Sequence, residues 1–217
     1  MQRVVEIGYM GYIVVDTEYT TWPGALERGW TGPNEHREIV QISAIHVGDA
    51  GQELAYFDRL VRPKVNPMLS DVFVALTHIT QASVDTEGQS FPLVQSEFLE
   101  FCQQGVLPIV CMNADEAVFL ENNCLHQTVF PFPISWHRLR PHLESVGVDL
   151  TARSSGDLHS LTDMPLYGHT HNALHDVRSM QRWMSRQQTP PGGFDVCGLP
   201  TGAPNTDPRS QLARRSE

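Results

Sequence analysis

Residues Ile13 to Thr20, IVVDTEYT, join a short apolar run to two acidic residues. The apolar run predicts a strand buried on both faces, as in the centre of an α/β sheet. Asp16 and Glu18 lie two residues apart, and on a strand this spacing places both side chains on one face. A hard divalent cation between them would offset their mutual repulsion. The segment therefore predicts a metal site at the end of a central strand, although a strand that runs into a solvated turn would show the same acids.

The composition is typical of one globular domain. Of the 217 residues, 41% are hydrophobic, which suffices for a buried core. No apolar run approaches the ~18 residues of a membrane span, and the N-terminus lacks the pattern of a signal peptide. The four cysteines form no C-x-x-C pair, which is typical of reduced thiols. We therefore expect a cytoplasmic protein with no membrane partner, whose natural start is either Met1 or Met10.

Two further strands are predicted after the first. Residues 38–47 are rich in Ile and Val and predict the second strand, and residues 54–61 predict the third after a turn at 48–51. A long loop that carries Trp22 and Trp30 leads into them. Because no helix intervenes, the three strands should form an antiparallel meander, unlike a Rossmann chain. The remaining predicted elements are helices over 70–76, 92–104, 117–125 and 136–146, a buried strand over 108–112, and a last helix that begins near Asn172.

The predicted domain covers residues 10–188. Beyond Gln188 the chain is rich in proline and glycine and has no apolar periodicity. Such a segment cannot bury much surface, so residues 189–217 are predicted to form a disordered tail.

The later acidic residues fall at the starts of predicted helices. Asp115 follows the strand over 108–112, and Asp176 lies in the first turn of the last helix. His171 precedes Asp176 by five residues, which on one helix would turn through about 500°, so we place His171 in the loop before that helix. Asp176 flanks the apolar stripe of the helix and needs a partner, which a metal shared with Asp16 would supply.

Three segments in this order resemble the motifs of the DEDDh family of 3′–5′ exonucleases: Asp16-Thr17-Glu18, Asp115, and His171–Asp176 (HNALHD). Supporting segments are EIVQISA at 38–44, LVRP at 60–63 and LTHIT at 76–80. The resemblance covers roughly 13–186, and the tryptophan-containing loop is most similar to the Eri-like subgroup, which processes RNA ends. It implies a ribonuclease-H-like α/β fold, in which helices flank a mixed five-stranded sheet whose first three strands form the meander.

The resemblance also implies a mechanism of two-metal phosphodiester hydrolysis with Mg²⁺ or Mn²⁺. Asp16 would bridge both ions, Glu18 and Asp176 would hold the ion that binds the attacking water, and Asp115 would act mainly through water at the other ion. Neutral His171 would take the proton from the attacking water. The product would be a nucleoside 5′-monophosphate.

The implied substrate is a single-stranded nucleic acid with a free 3′ end, with RNA favoured over DNA. The net charge of −10 excludes binding through a broad basic surface but permits an enzyme that grips one chain end. His78 stands where the family often has glycine, and Asp115 lacks the glycine that often precedes it. No protein partner is indicated. The expected substrate-binding residues are Thr17, Thr20, Trp22 and His78.

Three alternatives remain at this point. Residues 16–20 resemble the D-x-D-x-T loop of aspartyl-phosphate phosphatases, although Glu18 replaces the second aspartate and that fold needs a βαβ crossover. His169, His171 and His175 could form a zinc site, although the chain is short for a barrel hydrolase. A catalytically inactive ribonuclease-H-like binding module is the third, although such modules usually lack one of the five catalytic groups.

Overall fold

The computed structural model describes residues 11–130, 133–187, 196–198 and 201, and a mixed five-stranded sheet forms its centre. The sheet order is 3-2-1-4-5, with the strands numbered along the chain. The first three strands pair antiparallel, whereas the last two run parallel to the first. The predicted meander and mixed sheet are therefore confirmed. The strands are β1 (Tyr12–Tyr19), β2 (Ile39–Val47), β3 (Glu53–Leu60), β4 (Ile109–Cys111) and β5 (Trp136–Arg138).

Helices cover both faces of this sheet. Within the described part of the chain, no helix is both long and apolar enough to cross a membrane. The α-helices are α1 (Ala25–Arg28), α2 (Asp71–Thr77), α3 (Gln81–Glu87), α4 (Phe91–Phe101), α5 (Asp115–His126), α6 (Leu139–Ser145) and α7 (Ala173–Arg186). Short 3₁₀ turns cover Gln103–Gly105, Ser155–Leu161 and Val196–Gly198.

Strand β1 is buried on both faces, as its apolar start predicts. Ile13 and Val15 pack in the apolar cluster that contains α4 and α5, whereas Tyr12 and Val14 pack in the cluster that contains α6 and α7. Because side chains alternate along a strand, the even-numbered residues that follow face α7 and the odd-numbered ones face α5. This alternation determines which helix each polar side chain at the end of β1 faces.

One predicted helix is in fact a strand followed by a helix. Residues 136–146 were expected to be helical throughout, but Trp136–Arg138 pairs with β4, and the helix begins only at Leu139. A strand of three residues is too short to show an alternating pattern, so the apolar spacing of the following helix extends over it. Helix α3 was not predicted because Val84 is its only buried residue, which leaves no apolar stripe.

Part of the predicted tail contacts the domain. Val196 is buried in the apolar cluster on the α7 face, and Thr201 forms an antiparallel bridge with His137 of β5. The prediction of a disordered tail over 189–217 is therefore wrong for these residues. Strand β5 is an edge strand that offers unpaired backbone groups, and a single valine suffices to fill an apolar gap without any periodicity. The rest of the predicted tail, and the alternative starts Met1 and Met10, lie outside the described residues.

Candidate active site

The end of β1 opens into a cavity of about 440 Å³ that contains all five predicted catalytic groups. Residues from β1, from the starts of α5 and α7, and from the loop before α7 meet there, although they are far apart in the sequence. The five groups are Asp16, Glu18, Asp115, His171 and Asp176.

The alternation along β1 divides its polar residues between two helices. Asp16 and Glu18 project toward the side of α7, and each is only 8% exposed. Thr17 projects toward α5, where its hydroxyl donates a 2.7 Å hydrogen bond to Oδ1 of Asp115. Asp115 is the first residue of α5, where backbone N–H groups and the helix dipole favour a negative charge. One strand thus supplies two of the acids and orients a third.

Asp176 is held by the 3₁₀ turn that packs against α7. The Ser155 hydroxyl donates to its Oδ2 at 2.8 Å, and the His171 backbone N–H donates to its Oδ1 at 3.2 Å. A Cβ atom at Gly156 would lie 2.4 Å from Oδ1 of Asp176, so this close approach requires glycine. The side chain of Asn172 caps α7 by accepting from the His175 N–H at 3.3 Å, which confirms the predicted helix start.

His171 lies just before α7, as predicted, with a φ of +68°. One of its ring nitrogens and one carboxylate oxygen each from Glu18 and Asp176 all lie within 4.8 Å of one another. The ring therefore faces the carboxylates, although its residue precedes the helix that carries Asp176.

Burial shifts the pKa values of the acids upward. The pKa of Asp16 is raised well above its usual value by burial and then by repulsion from the other three carboxylates. Glu18 behaves alike, with burial as the main cause of its raised pKa. Burial also raises the pKa of Asp115 to about 6 and that of Asp176 to about 7. The opposite shift occurs at His171, whose pKa is lowered by burial of its ring.

This donor set fits divalent cations. None of the ion pairs recorded among the described residues involves Asp16, Glu18, Asp115 or Asp176, so these acids have no basic partner there. Hard cations such as Mg²⁺ and Mn²⁺ prefer carboxylate oxygens as ligands. A bound cation would remove both the repulsion and the cost of burying the charges.

The structure separates the residues expected to bind substrate. Thr17 lines the cavity. The Thr20 hydroxyl instead donates to the His36 carbonyl at 2.6 Å and accepts from the Glu38 N–H at 3.0 Å, which gives it a structural role. Trp22 and His78 lie outside the lining of this cavity, and His78 stacks on His169.

Other residues line the cavity without having been predicted. Trp30 packs edge-on against Tyr19, with ring centroids 5.4 Å apart, and its indole N–H donates to the Thr20 carbonyl. Nothing in the sequence of this loop distinguished Trp30, which lines the cavity, from Trp22, which does not. The lining also includes two exposed leucines and three arginines from separate parts of the chain: Leu26, Leu76, Arg37, Arg140 and Arg153.

Two of the alternatives can be judged from this geometry. In the phosphatase alternative a helix would follow β1 and lead to a parallel strand, but β1 pairs antiparallel with β2. In the zinc alternative the three histidines would converge, but the His175 ring points to the Gly156 carbonyl, with its Nε2 at 3.2 Å from that oxygen. Among the described residues, the cluster with metal-ligand spacing is Glu18, His171 and Asp176.

Known proteins share the sequence family and the fold of this chain. Residues 13–181 match the exonuclease family RNase T. A 3′-exonuclease that recognises the 3′ end of histone mRNA stem-loop superimposes with a TM-score of 0.73 at 20% identity, over 93% of this chain and 69% of that chain. The nuclease domain of 3′hExo, a DEDDh family member bound to rAMP, gives 0.71 at 22% identity, over 91% and 98%.

E. coli exonuclease I in complex with a dA16 oligonucleotide gives a TM-score of 0.60 at 12% identity, over 82% of this chain and 41% of that chain. No curated protein sequence matches the chain. At these identities the structural matches establish the fold, and the assignment to the Eri-like subgroup stays a prediction. Since the family match spans most of the chain, this chain belongs to the exonuclease family RNase T.

Proposed function

We propose that this chain is a metal-dependent 3′–5′ exonuclease that shortens single-stranded RNA or DNA and releases nucleoside 5′-monophosphates. The observation that carries this proposal is the convergence of four buried carboxylates and His171 in one cavity. Family membership supports the reaction class. The ligands named for the matched structures, a histone mRNA 3′ end, rAMP and dA16, support a substrate with a free 3′ end.

The carboxylates of Asp16, Glu18, Asp115 and Asp176 would hold two Mg²⁺ or Mn²⁺ ions. Such a pair of ions, when bound, stabilises both the attacking and the leaving oxygen of an in-line displacement at phosphorus. Because burial raises the pKa values of these acids, ion binding and loss of their protons are coupled. We therefore expect metal affinity to increase with pH.

His171 is the proposed general base. Burial lowers the pKa of its ring, so the ring is neutral at pH 7 and can accept a proton. It would take this proton from a water molecule whose oxygen bonds to the phosphorus atom. The bond from phosphorus to the 3′ oxygen of the penultimate nucleotide then breaks, and the terminal nucleotide leaves with a 5′-phosphate.

The rim of the cavity has groups suited to a nucleic-acid strand. Arg37, Arg140 and Arg153 line it, and each keeps N–H donors beyond those used in its contacts with the protein. Guanidinium groups bind backbone phosphates, whereas Trp30 and the exposed side chain of Leu26 offer apolar surface to bases. A few local arginines permit binding of one chain end despite the overall negative charge. The similarity to the Eri-like subgroup favours RNA.

The test uses 5′-labelled single-stranded RNA and DNA oligomers, each with a 3′-hydroxyl or a 3′-phosphate. With Mn²⁺ or Mg²⁺ we expect progressive shortening from the 3′-hydroxyl end and release of 5′-monophosphates, with strong inhibition by EDTA. The Asp16→Asn variant, purified in the same way as the wild type, should be inactive. Internal cleavage, or equal activity of Asp16→Asn, would contradict the proposal. Tight binding without any product would instead identify an inactive binding module.

A further inference from the structure

The segment that carries His171 has no regular secondary structure. It spans residues 162–172, between the 3₁₀ turn Ser155–Leu161 and α7, and Tyr167 within it is 93% exposed. The φ of +68° at His171 is unfavourable for a residue with a side chain and persists only where the surroundings hold it. Contacts elsewhere in the segment must therefore help to keep the ring of His171 beside the carboxylates.

One set of contacts holds the segment from the side of α7. The His171 N–H donates to Asp176, and the Asn172 N–H donates to the His169 carbonyl at 3.1 Å. These bonds fix residues 169–172 as a tight turn against the start of the helix. They do not fix the turn against α2, whose Leu76 also lines the cavity.

His169 connects the turn to the end of α2. Its Nε2 lies 2.8 Å from the Leu76 carbonyl oxygen. Because a carbonyl only accepts hydrogen bonds, Nε2 carries the proton. Leu76 lies in the last turn of α2, where carbonyl groups lack helical donors and carry the negative end of the helix dipole. An imidazole N–H is therefore well suited to this position.

His78 completes the connection. It caps α2 with a φ of +60°, and its ring stacks on His169 with centroids 3.7 Å apart and planes 8° from parallel. Glycine would adopt this φ at lower cost, so the contribution of histidine at position 78 is its ring. Since His78 lies outside the lining of the catalytic cavity, its ring contacts the segment that carries His171 rather than the substrate position.

We propose that the stacked pair His78–His169 is a positioning clamp for His171. The clamp joins the end of α2 to the turn before α7 and thereby sets the placement of the general base relative to Glu18 and Asp176. The inference rests on the proposed function, because it assigns His78 and His169 as positioning residues for the same reaction.

The test compares His78→Gly with His78→Phe in the full chain, with Mn²⁺ and a single-stranded oligomer. The glycine variant removes the stack and relieves the backbone, so we expect an unchanged melting temperature and KM but a fall in kcat of about 10- to 100-fold, the usual effect of misplacing a catalytic group. The phenylalanine variant keeps an aromatic face and should retain most of the kcat. His169→Gln, which keeps a donor for Leu76 but not the stack, should resemble the glycine variant.

Two comparisons separate positioning from a general structural effect. Tyr167→Ala, in the same segment but exposed, should leave both kcat and KM unchanged. In a His171→Ala background, His78→Gly should lower kcat no further, because the group that the clamp positions is absent. An additive loss in that background, or a rise in KM with unchanged kcat, would overturn the clamp.

A readout without catalysis separates this inference from the proposed function. Hydrogen exchange at the His171 amide should become faster in His78→Gly and stay slow in His78→Phe. If the wild-type protein cleaves oligomers and His78→Gly matches it in kcat, the clamp is wrong and the exonuclease proposal stands. If the wild-type protein cleaves nothing, the exonuclease proposal fails, and unchanged exchange in His78→Gly would overturn the clamp as well.

Discussion

Burial shifts the pKa of the carboxyl groups in the cavity upward and the pKa of the imidazole downward. It raises the pKa of Asp176 to about 7 and lowers the pKa of the neighbouring His171. In the metal-free protein at neutral pH, a proton therefore resides on the carboxylates more readily than on the imidazole. A divalent cation would displace the proton from the carboxylates and leave the imidazole neutral. The same burial thus makes the charged form of Asp176 depend on a bound cation and keeps the imidazole of His171 available as a proton acceptor.

His171→Ala should lower kcat by roughly 10²- to 10⁴-fold, the usual contribution of a positioned base. Because burial lowers the pKa of His171, its neutral form is present at neutral pH, and at saturating Mn²⁺ the rise of wild-type activity with pH should occur at a lower pH than an ordinary histidine would give. The variant should lose this rise. Its melting temperature should still increase with Mn²⁺, since the four carboxylates remain. Retained turnover with an unchanged pH profile would refute the assignment.

The matching control cannot be chosen from sequence spacing. From the sequence, His175 would be chosen as the control, because it lies only four residues after His171. In the structure, however, His175 is buried, and its ring contacts the Gly156 carbonyl beside Asp176. Replacing it would disturb the turn that holds an acid. Tyr167 is the better control because it lies in the same segment and its side chain is 93% exposed.

The acids at the start of α5 have different roles. Asp115→Asn should remove nearly all turnover and leave the melting temperature unchanged or higher. Glu116 faces away from the cavity and pairs with Arg138 of β5, and it is almost fully buried. Glu116→Gln should therefore lower the melting temperature, since it leaves a buried ion pair incomplete, while activity per folded molecule is kept. Loss of activity without loss of stability in Glu116→Gln would reverse these roles.

At the scale of secondary-structure elements, long elements with an apolar pattern could be predicted from the sequence, whereas some short elements could not. Strands β1 and β2 were predicted from runs of apolar, β-branched residues, strand β3 from its place after a turn, and helix α7 from an apolar stripe at helical spacing. Strand β5 has three residues and owes its conformation to pairing with β4, a long-range contact that leaves no local pattern. The proposed catalytic residues were predicted from the order of their motifs along the chain. Arg37, Arg140 and Arg153 lie far apart in the sequence, and only the fold brings them to one cavity.

The two described pieces of the C-terminal segment make truncation informative. A chain that ends after residue 188 loses Val196 from an apolar cluster and Thr201 from the edge of β5. Removal of a buried valine side chain costs on the order of 1–2 kcal/mol. We therefore expect this truncation to lower the melting temperature, whereas a chain that ends after residue 201 should melt like the full chain.

Val196→Ala in the full chain is the matched single change. It should reproduce most of the loss seen on truncation after residue 188. If both truncated chains and Val196→Ala melted at the temperature of the full chain, the contacts of Val196 and Thr201 would add no stability in solution.

For the whole molecule, the raised pKa values predict an unusual dependence of stability on pH. The folded metal-free protein binds more protons than the unfolded chain between the ordinary carboxylate pKa near 4 and the raised values, which reach about 7 at Asp176. Stability that is present below pH 4 is then lost as the pH rises through the folded pKa values. In EDTA, the contribution of these acids should therefore make the protein less stable at pH 8 than at pH 5.

Mn²⁺ should reverse this trend, because an ion that binds only the folded state raises its stability. Asp16→Asn removes one repelling charge, so it should melt higher than the wild type in EDTA at pH 8 and gain little from Mn²⁺. Thermal melts at both pH values, with and without the ion, check all four expectations. A wild-type protein that melts equally with EDTA and with Mn²⁺ at pH 8 would contradict the metal site.

The acids of the cavity come from the first strand, the middle and the last helix of the domain. An ion shared by Asp16 and Asp176 would therefore act as a reversible cross-link that closes the chain between β1 and α7. Closing so long a loop removes much of the freedom that α7 would gain by detaching. Metal concentration would thus control how often the last helix undocks, and proteases or chaperones that act on opened chains would meet the metal-free form more often.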